Sequence, residues 1–330
     1  MSGVSAGVEA HLTRRGRWRR WEIAFWIGIV LLIFAAPSRA LLINEILIAG
    51  LFAMSLDMIL GYAGILSLGH AAFFGVGAYG AAILASHGIS DPLMGLVLAS
   101  LVSGLLGLAT APLVLRGADL TRLMVTLGIC LMLGELANRN SWATGGADGL
   151  NLDLSPIFHL FPIGFTGQRN AALYSLTVLF LSFALARRIL QSPFGLSLRA
   201  LRENRLRAGA LGISAPRRLI PIYALAATFA GAAGALVAQT TQIVSLDVFD
   251  FHRSADVLLM LIIGGTGFLY GGIIGAALFI AIKDSLSTAS PEYWEFWIGL
   301  LLIALVLGGR ERIGARIARF IPRRARPDAA

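Results

Sequence analysis

Charged residues are scarce in this chain of 330 residues. They make up 14% of it, whereas hydrophobic residues make up 57%. Soluble domains are nearer a quarter charged, so the composition excludes an ordinary soluble protein. About 20 apolar residues suffice to cross a bilayer as a helix, and longer runs without Asp, Glu, Lys or Arg predict membrane spans. Such runs cover residues 58–90, 92–115, 219–246 and 257–282.

Cysteine clusters and catalytic signatures are also missing. The single cysteine, Cys130, lies in an apolar run, which leaves no disulfide framework and no metal-binding cluster. The sequence contains no Walker A motif and no G-x-S-x-G, H-E-x-x-H or C-x-x-C pattern. The chain therefore has no evident way to hydrolyse ATP. We predict that it is not an enzyme and carries no cofactor or metal.

Acidic residues are outnumbered by basic ones, 18 to 27, which gives a net charge of +9. In a soluble protein this excess would suggest a nucleic-acid partner. Here the arginines cluster between the apolar runs, and the positive-inside rule of membrane proteins explains them better. We therefore expect membrane lipid, and no nucleic acid, around the chain. The arginine clusters lie at the N-terminus, at 116 and 122, in 187–218 and in 310–326.

The apolar runs predict an all-α, polytopic transmembrane helical bundle of about ten spans. The spans are placed at about 21–38, 41–60, 64–86, 93–115, 120–137, 171–190, 219–241, 255–266, 269–284 and 294–309. This arrangement puts every arginine cluster and both termini on one side, which the positive-inside rule makes cytoplasmic. The predicted parts are an arginine-rich cytoplasmic N-terminus (1–20), a transmembrane domain (21–309) with a polar loop (191–218), and a basic cytoplasmic tail (310–330).

Two places in this arrangement have alternative interpretations. The first apolar run could be a cleaved signal peptide, but Ser38-Arg39-Ala40 only loosely imitates a cleavage site, so we interpret it as an uncleaved span. The segment 255–284 contains Gly264-Gly265-Thr266-Gly267 in its middle. It predicts two short spans, one kinked span or a re-entrant pair. A single span would put the arginine-rich tail outside, which disfavours that option.

The stretch GYAGILSLGHAAFFGVGAYG, residues 61–80, is apolar but rich in glycine. Its G-x-G-x-x-G spacing imitates a dinucleotide loop, yet the strand and the acidic residue that such a loop needs are absent. Most of its glycines are explained by close helix packing. Packing does not explain Ser67 and His70, which follow a Gly61-x-x-Gly64 break. Breaks of this kind are tolerated in membranes where they line a cavity.

The same stretch resembles the signature of bacterial branched-chain amino-acid ABC permeases of the LivM/LivH type, and LivM is the nearer match. The family pattern G-x-x-G-x-x-S-x-G-H-A-x-F-x-G-x-G-A-Y is matched at Gly61, Gly64, Ser67, Gly69, His70, Ala71, Phe73, Gly75, Gly77, Ala78 and Tyr79. Three further segments agree in order: Thr144-Gly145-Gly146 with Gly149-Leu150, RALRENRLRAGALGI at 199–213, and LLMLIIGGTGFLYGGIIGA at 258–276. The late segment departs from the family's G-P at Gly271-Gly272.

The resemblance implies the permease subunit of an ATP-binding-cassette importer that moves branched-chain amino acids or similar small polar solutes across the bacterial inner membrane by alternating access. It also implies a second related permease as heterodimer partner, two ATP-binding subunits that carry ATP and Mg, and an external solute-binding protein. The segment 198–211 predicts a short helix that ends at Gly212. The resemblance implies that this helix docks on the ATPase, as a helix at this position does in such importers.

Candidate residues follow from these segments. Translocation-path candidates are Gly64, Ser67, Gly69, His70, Phe73 and Phe74. ATPase-coupling candidates are Arg199, Arg202, Glu203, Asn204 and Gly212. External-loop candidates are Thr144, Gly145 and Gly146.

Two alternative functions remain open at this point. Ionisable groups in membrane spans are costly and are therefore functional candidates. A proton-coupled secondary carrier could use such groups, here Glu45, Asp57, His70 and Glu135. Alternatively, an ABC importer of the same fold could carry urea or amides.

Overall fold

The computed structural model describes residues 19–152, 167–289, 291–293, 296–300 and 303, and these are mostly helical. The long and medium helices are α1 (Arg20–Ala35), α2 (Ala40–Leu60), α3 (Ala71–Ser86), α4 (Pro92–Arg116), α5 (Asp119–Arg139), α6 (Gln168–Leu190), α7 (Pro193–Glu203), α8 (Arg205–Ala210), α9 (Ala215–Thr241), α10 (Phe251–Gly264) and α11 (Leu269–Ala289). One helical turn (Ser141–Thr144) and three 3-10 turns (Pro37–Arg39, Gly146–Asp148, Leu246–Phe249) connect them. Two short strands, β1 (Leu150–Asn151) and β2 (Ile243–Val244), pair antiparallel.

The chain divides into two compact units. The first extends to Ala277 and contains α1 to α10 and the start of α11. The second begins at Leu278 and contains the rest of α11 and a helical stretch at 296–300. All of the packing described below lies within the first unit.

Within the part of the chain that the structure describes, six helical segments are long and apolar enough to cross a membrane. They match the predicted spans at 41–60, 93–115, 120–137, 171–190, 219–241 and 269–284. The predicted spans 21–38, 64–86 and 255–266 correspond to shorter helices: α1, α3 and α10. The predicted span 294–309 lies mostly outside the described residues, as do the tail 310–330 and almost all of the N-terminal segment 1–20.

Helix α3 begins at Ala71, seven residues later than the predicted span. Between α2 and α3 the chain runs without helix through residues 61–70, which we call the break. Gly64 adopts a left-handed backbone conformation there, with φ of 69°. Glycine reaches that conformation without steric cost, so the Gly61-x-x-Gly64 pattern stops α2 as the sequence indicated.

The core of the first unit is formed where α9 packs against α3 and α4. Small residues bring these helices close together. A Cβ added at Gly77 of α3 would overlap the backbone of Gly231 in α9, and one added at Gly231 would overlap Ser103 of α4. The prediction that Gly77 permits close helix approach is confirmed.

Helices α10 and α11 form an antiparallel hairpin. A Cβ at Gly275 would overlap the Met260 carbonyl, and a Cβ at Gly264 would overlap the Gly271 carbonyl. From the first contact to the second, the residue number falls on α11 while it rises on α10, so the two helices run antiparallel. The turn between them contains Gly265 and Gly267, both with positive φ. The single kinked span is therefore wrong, because the glycines allow the chain to reverse direction.

The polar loop 191–218 contains two helices, α7 and α8, where one helix over 198–211 was predicted. Helix α7 begins earlier because the Ser192 hydroxyl accepts a hydrogen bond from the Phe194 N–H and Pro193 occupies the first turn. Asn204 then leaves the helical conformation, and its side-chain oxygen accepts a hydrogen bond of 2.9 Å from the Arg207 N–H. Asparagine is a strong helix cap, so it divides the predicted helix into two.

Candidate functional site

His70 is completely buried at the end of the break, directly before α3. Its Nε2 lies 2.8 Å from the hydroxyl of Ser55 in α2. The Ser55 hydroxyl donates its only hydrogen to the Phe52 carbonyl at 2.6 Å. The hydroxyl must therefore accept from His70, which places the imidazole proton on Nε2. The His70 Nδ1 is then an acceptor, and it has no hydrogen-bond partner among the described residues.

Aromatic rings enclose this imidazole. Phe52 stacks on His70, with ring centroids 5.4 Å apart, and Phe73 meets it edge-on at 5.8 Å. Phe74 packs against Phe52, with ring centroids 4.7 Å apart, and the Arg253 guanidinium carbon lies 5.7 Å from the centre of the Phe74 ring. The structure thus brings three of the predicted path residues together: His70, Phe73 and Phe74.

Two further polar contacts hold the break in place. The Leu68 N–H donates to the Thr126 hydroxyl of α5 at 3.3 Å, and a Cβ at Gly69 would overlap the Thr126 carbonyl. The Ala71 N–H donates to the Ser254 hydroxyl of α10 at 3.0 Å. Ser67, directly before Leu68, is buried, and its hydroxyl lacks a partner among the described residues. Because buried polar groups are normally paired, the free Ser67 hydroxyl and His70 Nδ1 mark this break as a functional candidate.

The other end of the break contacts the polar loop. Arg202 of α7 donates a hydrogen bond from its guanidinium to the Gly61 carbonyl. Its Cγ lies 3.0 Å from the position of a Cβ on Gly64. Gly64 therefore lies beside Arg202, and the structure does not bring it together with His70.

The carboxylate of Asp57 joins the same place to the turn between α10 and α11. It is fully buried near the end of α2 and accepts a hydrogen bond of 2.7 Å from the Gly267 N–H. One Arg202 guanidinium nitrogen lies 3.2 Å from the position of a Cβ on Gly267. Arg202 and Asp57 thus connect α7, the break and the α10–α11 turn. We call this set of contacts the arginine junction.

Arg199 strengthens the junction from one turn earlier on α7. Its guanidinium carbon lies 5.1 Å from the centre of the Tyr62 ring, a cation–π geometry. Burial, followed by the nearby Asp57 charge, raises the pKa of the Tyr62 hydroxyl, so this group stays neutral and protonated at ordinary pH. Arg199 and Arg202, for which a coupling role was predicted, therefore both contact the break, although Arg202 is otherwise exposed and Arg199 is half-buried.

Much of the exposed surface of the polar loop lies on the end of α7, on α8 and directly after it. Leu206 is 89% exposed and Leu211 is 75% exposed. Glu203 is exposed, and within the described residues it makes no ion pair. Gly212 has φ of 81° and follows the end of α8, as predicted for a residue that ends the helix. We call the exposed surface of Glu203, Arg205, Leu206, Arg207 and Leu211 the docking face.

The opposite end of α5 and α9 is shaped by the predicted external-loop residues. The Thr144 hydroxyl donates to the Asn140 carbonyl at 2.8 Å, while Gly145 and Gly146 have φ of 70° and 58°. Gly149 is also left-handed, and a Cβ there would overlap the Val244 carbonyl of β2. The glycines of this motif are therefore explained by a tight turn that lets β1 pair with β2.

The segment after β2 closes this end. Phe249 fits against two glycines: its ring would overlap a Cβ on Gly75, and its Cβ lies 3.3 Å from the position of a Cβ on Gly134. Tyr79 stacks on Phe249 with centroids 5.6 Å apart, and the Cys130 thiol donates to the Phe249 carbonyl at 3.2 Å. We call this packing the phenylalanine plug.

Sequence reasoning missed several of these residues. Ser55, Thr126 and Ser254 are single hydroxyl residues in apolar helices, and nothing in the sequence separates them from other serines and threonines. The buried ion pair of Glu22 with Arg187, at 2.7 Å, was also missed. It could have been found, because both residues lie in predicted spans, where ionisable groups are rare unless they have partners.

The ionisable residues considered for a proton carrier differ in their burial. Glu45 is exposed on α2, and Glu135 is exposed on α5 and paired with Arg139 at 2.7 Å. Among the described residues no cluster of three or more His, Cys, Asp or Glu could hold a metal ion. Of the four candidates for a proton carrier, Asp57 and His70 are the two that take part in buried polar contacts near the break.

A bundle of membrane-length helices, with a non-helical break and a buried polar cluster inside it, is the architecture of a membrane transport protein. Residues 38–306 match the family described as "Branched-chain amino acid transport system / permease component", and the chain belongs to that family. This confirms the resemblance seen in the sequence motifs, and with the six apolar helices it confirms a multi-pass membrane protein.

Curated relatives agree with the family. The high-affinity branched-chain amino acid transport system permease protein LivM of Salmonella typhimurium is 30% identical over 285 residues, which is 78% of this chain and 65% of that protein. The protein of the same name from Escherichia coli gives the same identity and coverage. The chain thus spans 65% of the length of these relatives. No solved structure matches it.

Proposed function

We propose that this chain is the permease subunit of an ABC importer of the bacterial inner membrane. It would move branched-chain amino acids or similar small polar solutes inward by alternating access. Its partners would be a second, related permease, two ATP-binding subunits that hold ATP and Mg, and an external solute-binding protein. The chain itself would perform no chemistry. The names of the two relatives support the solute class, and the family supports the role of permease.

The arginine junction is the observation that best supports this mechanism. ATP hydrolysis on another subunit can drive a permease only if movement of a surface segment reaches the solute path. Arg202 joins α7 to the break at Gly61, and the same break ends at His70 with its free Nδ1. A displacement of α7 would therefore pull directly on the backbone that positions His70. Non-helical segments inside bundles are suited to such movement because few backbone bonds must break.

The docking face supplies the surface for an ATPase. Leu206 and Leu211 are large apolar side chains that are almost fully exposed on a loop rich in arginine. Exposed apolar residues surrounded by charges are typical of protein interfaces. The ATPase would bury these leucines, and Glu203 and Arg205 would lie at the edge of the contact. This assigns attachment to α8 and transmission to α7.

The proposed orientation places about ten spans in the membrane, with both termini and the docking face in the cytoplasm. In a Cys130→Ser background, Ala147→Cys and Arg205→Cys should react with a membrane-impermeant maleimide from opposite faces of the membrane. Ala147 and Arg205 are both exposed, so the label can reach each of them. Reaction of both from the same face would contradict the orientation.

Reconstitution separates the importer from the proton carrier. The purified chain alone in proteoliposomes should show neither ATP hydrolysis nor leucine uptake driven by a pH gradient. Addition of the partner permease, ATPases and loaded solute-binding protein should give uptake that requires ATP. Uptake by the chain alone under a pH gradient would refute the importer and favour the carrier. Uptake of urea and not of leucine by the complete complex would change the solute class only.

A further inference from the structure

A cavity of about 290 Å³ lies where α1 begins and α6 ends, beside α7. The proposed transport path does not use it. Three arginines, Arg19, Arg187 and Arg199, and one acidic residue, Glu22, line it. Several arginines around one cavity favour the binding of an anionic ligand.

The carboxylate is already satisfied within the wall. Arg187 donates to Glu22 at 2.7 Å, and both side chains are less than a tenth exposed. The Arg19 N–H donates to the same carboxylate at 2.8 Å. The buried pair is therefore neutral as a unit, and Arg19 and Arg199 leave the cavity with a net positive charge.

Apart from Gln191, the remaining lining residues are apolar, and the two aromatic ones among them are partly exposed. Trp21 is 44% exposed and Phe268 is 49% exposed, and both line the cavity. Tryptophan and arginine at the start of a membrane helix are typical of the level of the lipid headgroups. A cavity lined by both arginines and exposed aromatic residues fits a ligand that has an anionic head and an apolar tail.

We propose that this cavity binds the phosphodiester headgroup of an anionic phospholipid, with Arg19 and Arg199 at the phosphate and Trp21 and Phe268 beside the glycerol and acyl chains. The site rests on the proposed orientation, which places it on the cytoplasmic side, where anionic lipids attract basic residues. Soluble phosphate shares the head chemistry but lacks the apolar part. Since Arg199 also contacts Tyr62, the bound headgroup adjoins the arginine junction.

The test is lipid retention by the purified full chain in detergent, measured by native mass spectrometry with equal amounts of phosphatidylglycerol and phosphatidylethanolamine added. The wild-type chain should retain phosphatidylglycerol preferentially. Arg19→Ala should weaken that binding about fivefold, the effect of one arginine at an anionic headgroup. Arg188→Ala is the matched control, because Arg188 is exposed on the same end of α6 but does not line the cavity.

Three results would overturn the proposal. Equal retention of both lipids would show that the cavity does not select an anionic headgroup. An equal loss in Arg188→Ala and Arg19→Ala would show a general attraction to surface charge. Displacement of phosphatidylglycerol by millimolar inorganic phosphate would show a site for soluble anions. Arg19→Lys should retain most of the binding, which separates lost charge from lost folding. Since the assay measures no transport, failure of the importer function would leave its outcome unchanged.

Discussion

The arginine junction and the phenylalanine plug hold two segments that connect long helices, and they do so in contrasting ways. At the junction, one long charged side chain reaches a backbone carbonyl, and a carboxylate reaches a backbone N–H. At the plug, an aromatic ring fills a notch made by glycines. Flexible polar side chains can keep their hydrogen bonds while the backbone moves, whereas close packing tolerates little displacement. The comparison indicates that the junction can transmit motion and that the plug acts by its shape.

A larger side chain at Gly75, which lies against the Phe249 ring, should have the largest effect on folding. Gly75→Leu places a side chain where the Phe249 ring lies, so overpacking should abolish recovery of folded protein, judged by size-exclusion chromatography. Gly128→Leu is the matched control, because a Cβ at Gly128 meets nothing within 4 Å. Adding Phe249→Ala to Gly75→Leu should partly restore folded protein. A Gly75→Leu chain that folds and transports normally would contradict the plug.

Charging the docking face should abolish assembly without unfolding the chain. Leu206→Asp places a carboxylate in the surface proposed to be buried by the ATPase, which should weaken association by at least about tenfold. Co-purification of the ATPases with the tagged permease measures this. Glu203→Arg at the edge should have a smaller effect of the same direction. Full co-purification with Leu206→Asp would move the ATPase contact away from α8.

Removing the buried imidazole should have a smaller effect on folding than Gly75→Leu. His70→Ala deletes one hydrogen bond to Ser55, which contributes about 1 kcal/mol, and leaves a cavity beside Phe52 and Phe73 that costs about 2–4 kcal/mol more. The packing of α9 against α3 and α4 is untouched, so the protein should still fold and assemble while leucine uptake by the complete complex falls. Ser175→Ala is a useful control, since it deletes a buried hydrogen bond of 2.6 Å from α6 to the side chain of Asn44 in α2, away from the break. Normal uptake by His70→Ala would make His70 a packing residue.

The sequence predicted the membrane class, most helices and the family because these depend on long apolar runs and on glycine patterns. Gly64, Gly145 and Gly149 have left-handed backbones, which only glycine adopts readily, so their positions signal turns in any context. The division between α7 and α8 was missed because Asn204 acts as a helix cap when its backbone is extended, and the sequence does not show that it is extended here. The partners of His70 and Arg202 were missed because Ser55 and Gly61 are brought to them by tertiary packing.

The central claim is that Arg202 transmits motion from the polar loop to the break. The most direct measurement is the number of leucine molecules imported per ATP hydrolysed by the complete complex in proteoliposomes. Arg202→Ala should bind the ATPases and hydrolyse ATP but import at least about tenfold less leucine per ATP, since a hydrogen bond from a charged group contributes about 1.5–3 kcal/mol. Arg205→Ala, exposed on the neighbouring helix, should keep the wild-type ratio of import to hydrolysis. An unchanged ratio in Arg202→Ala would contradict the account.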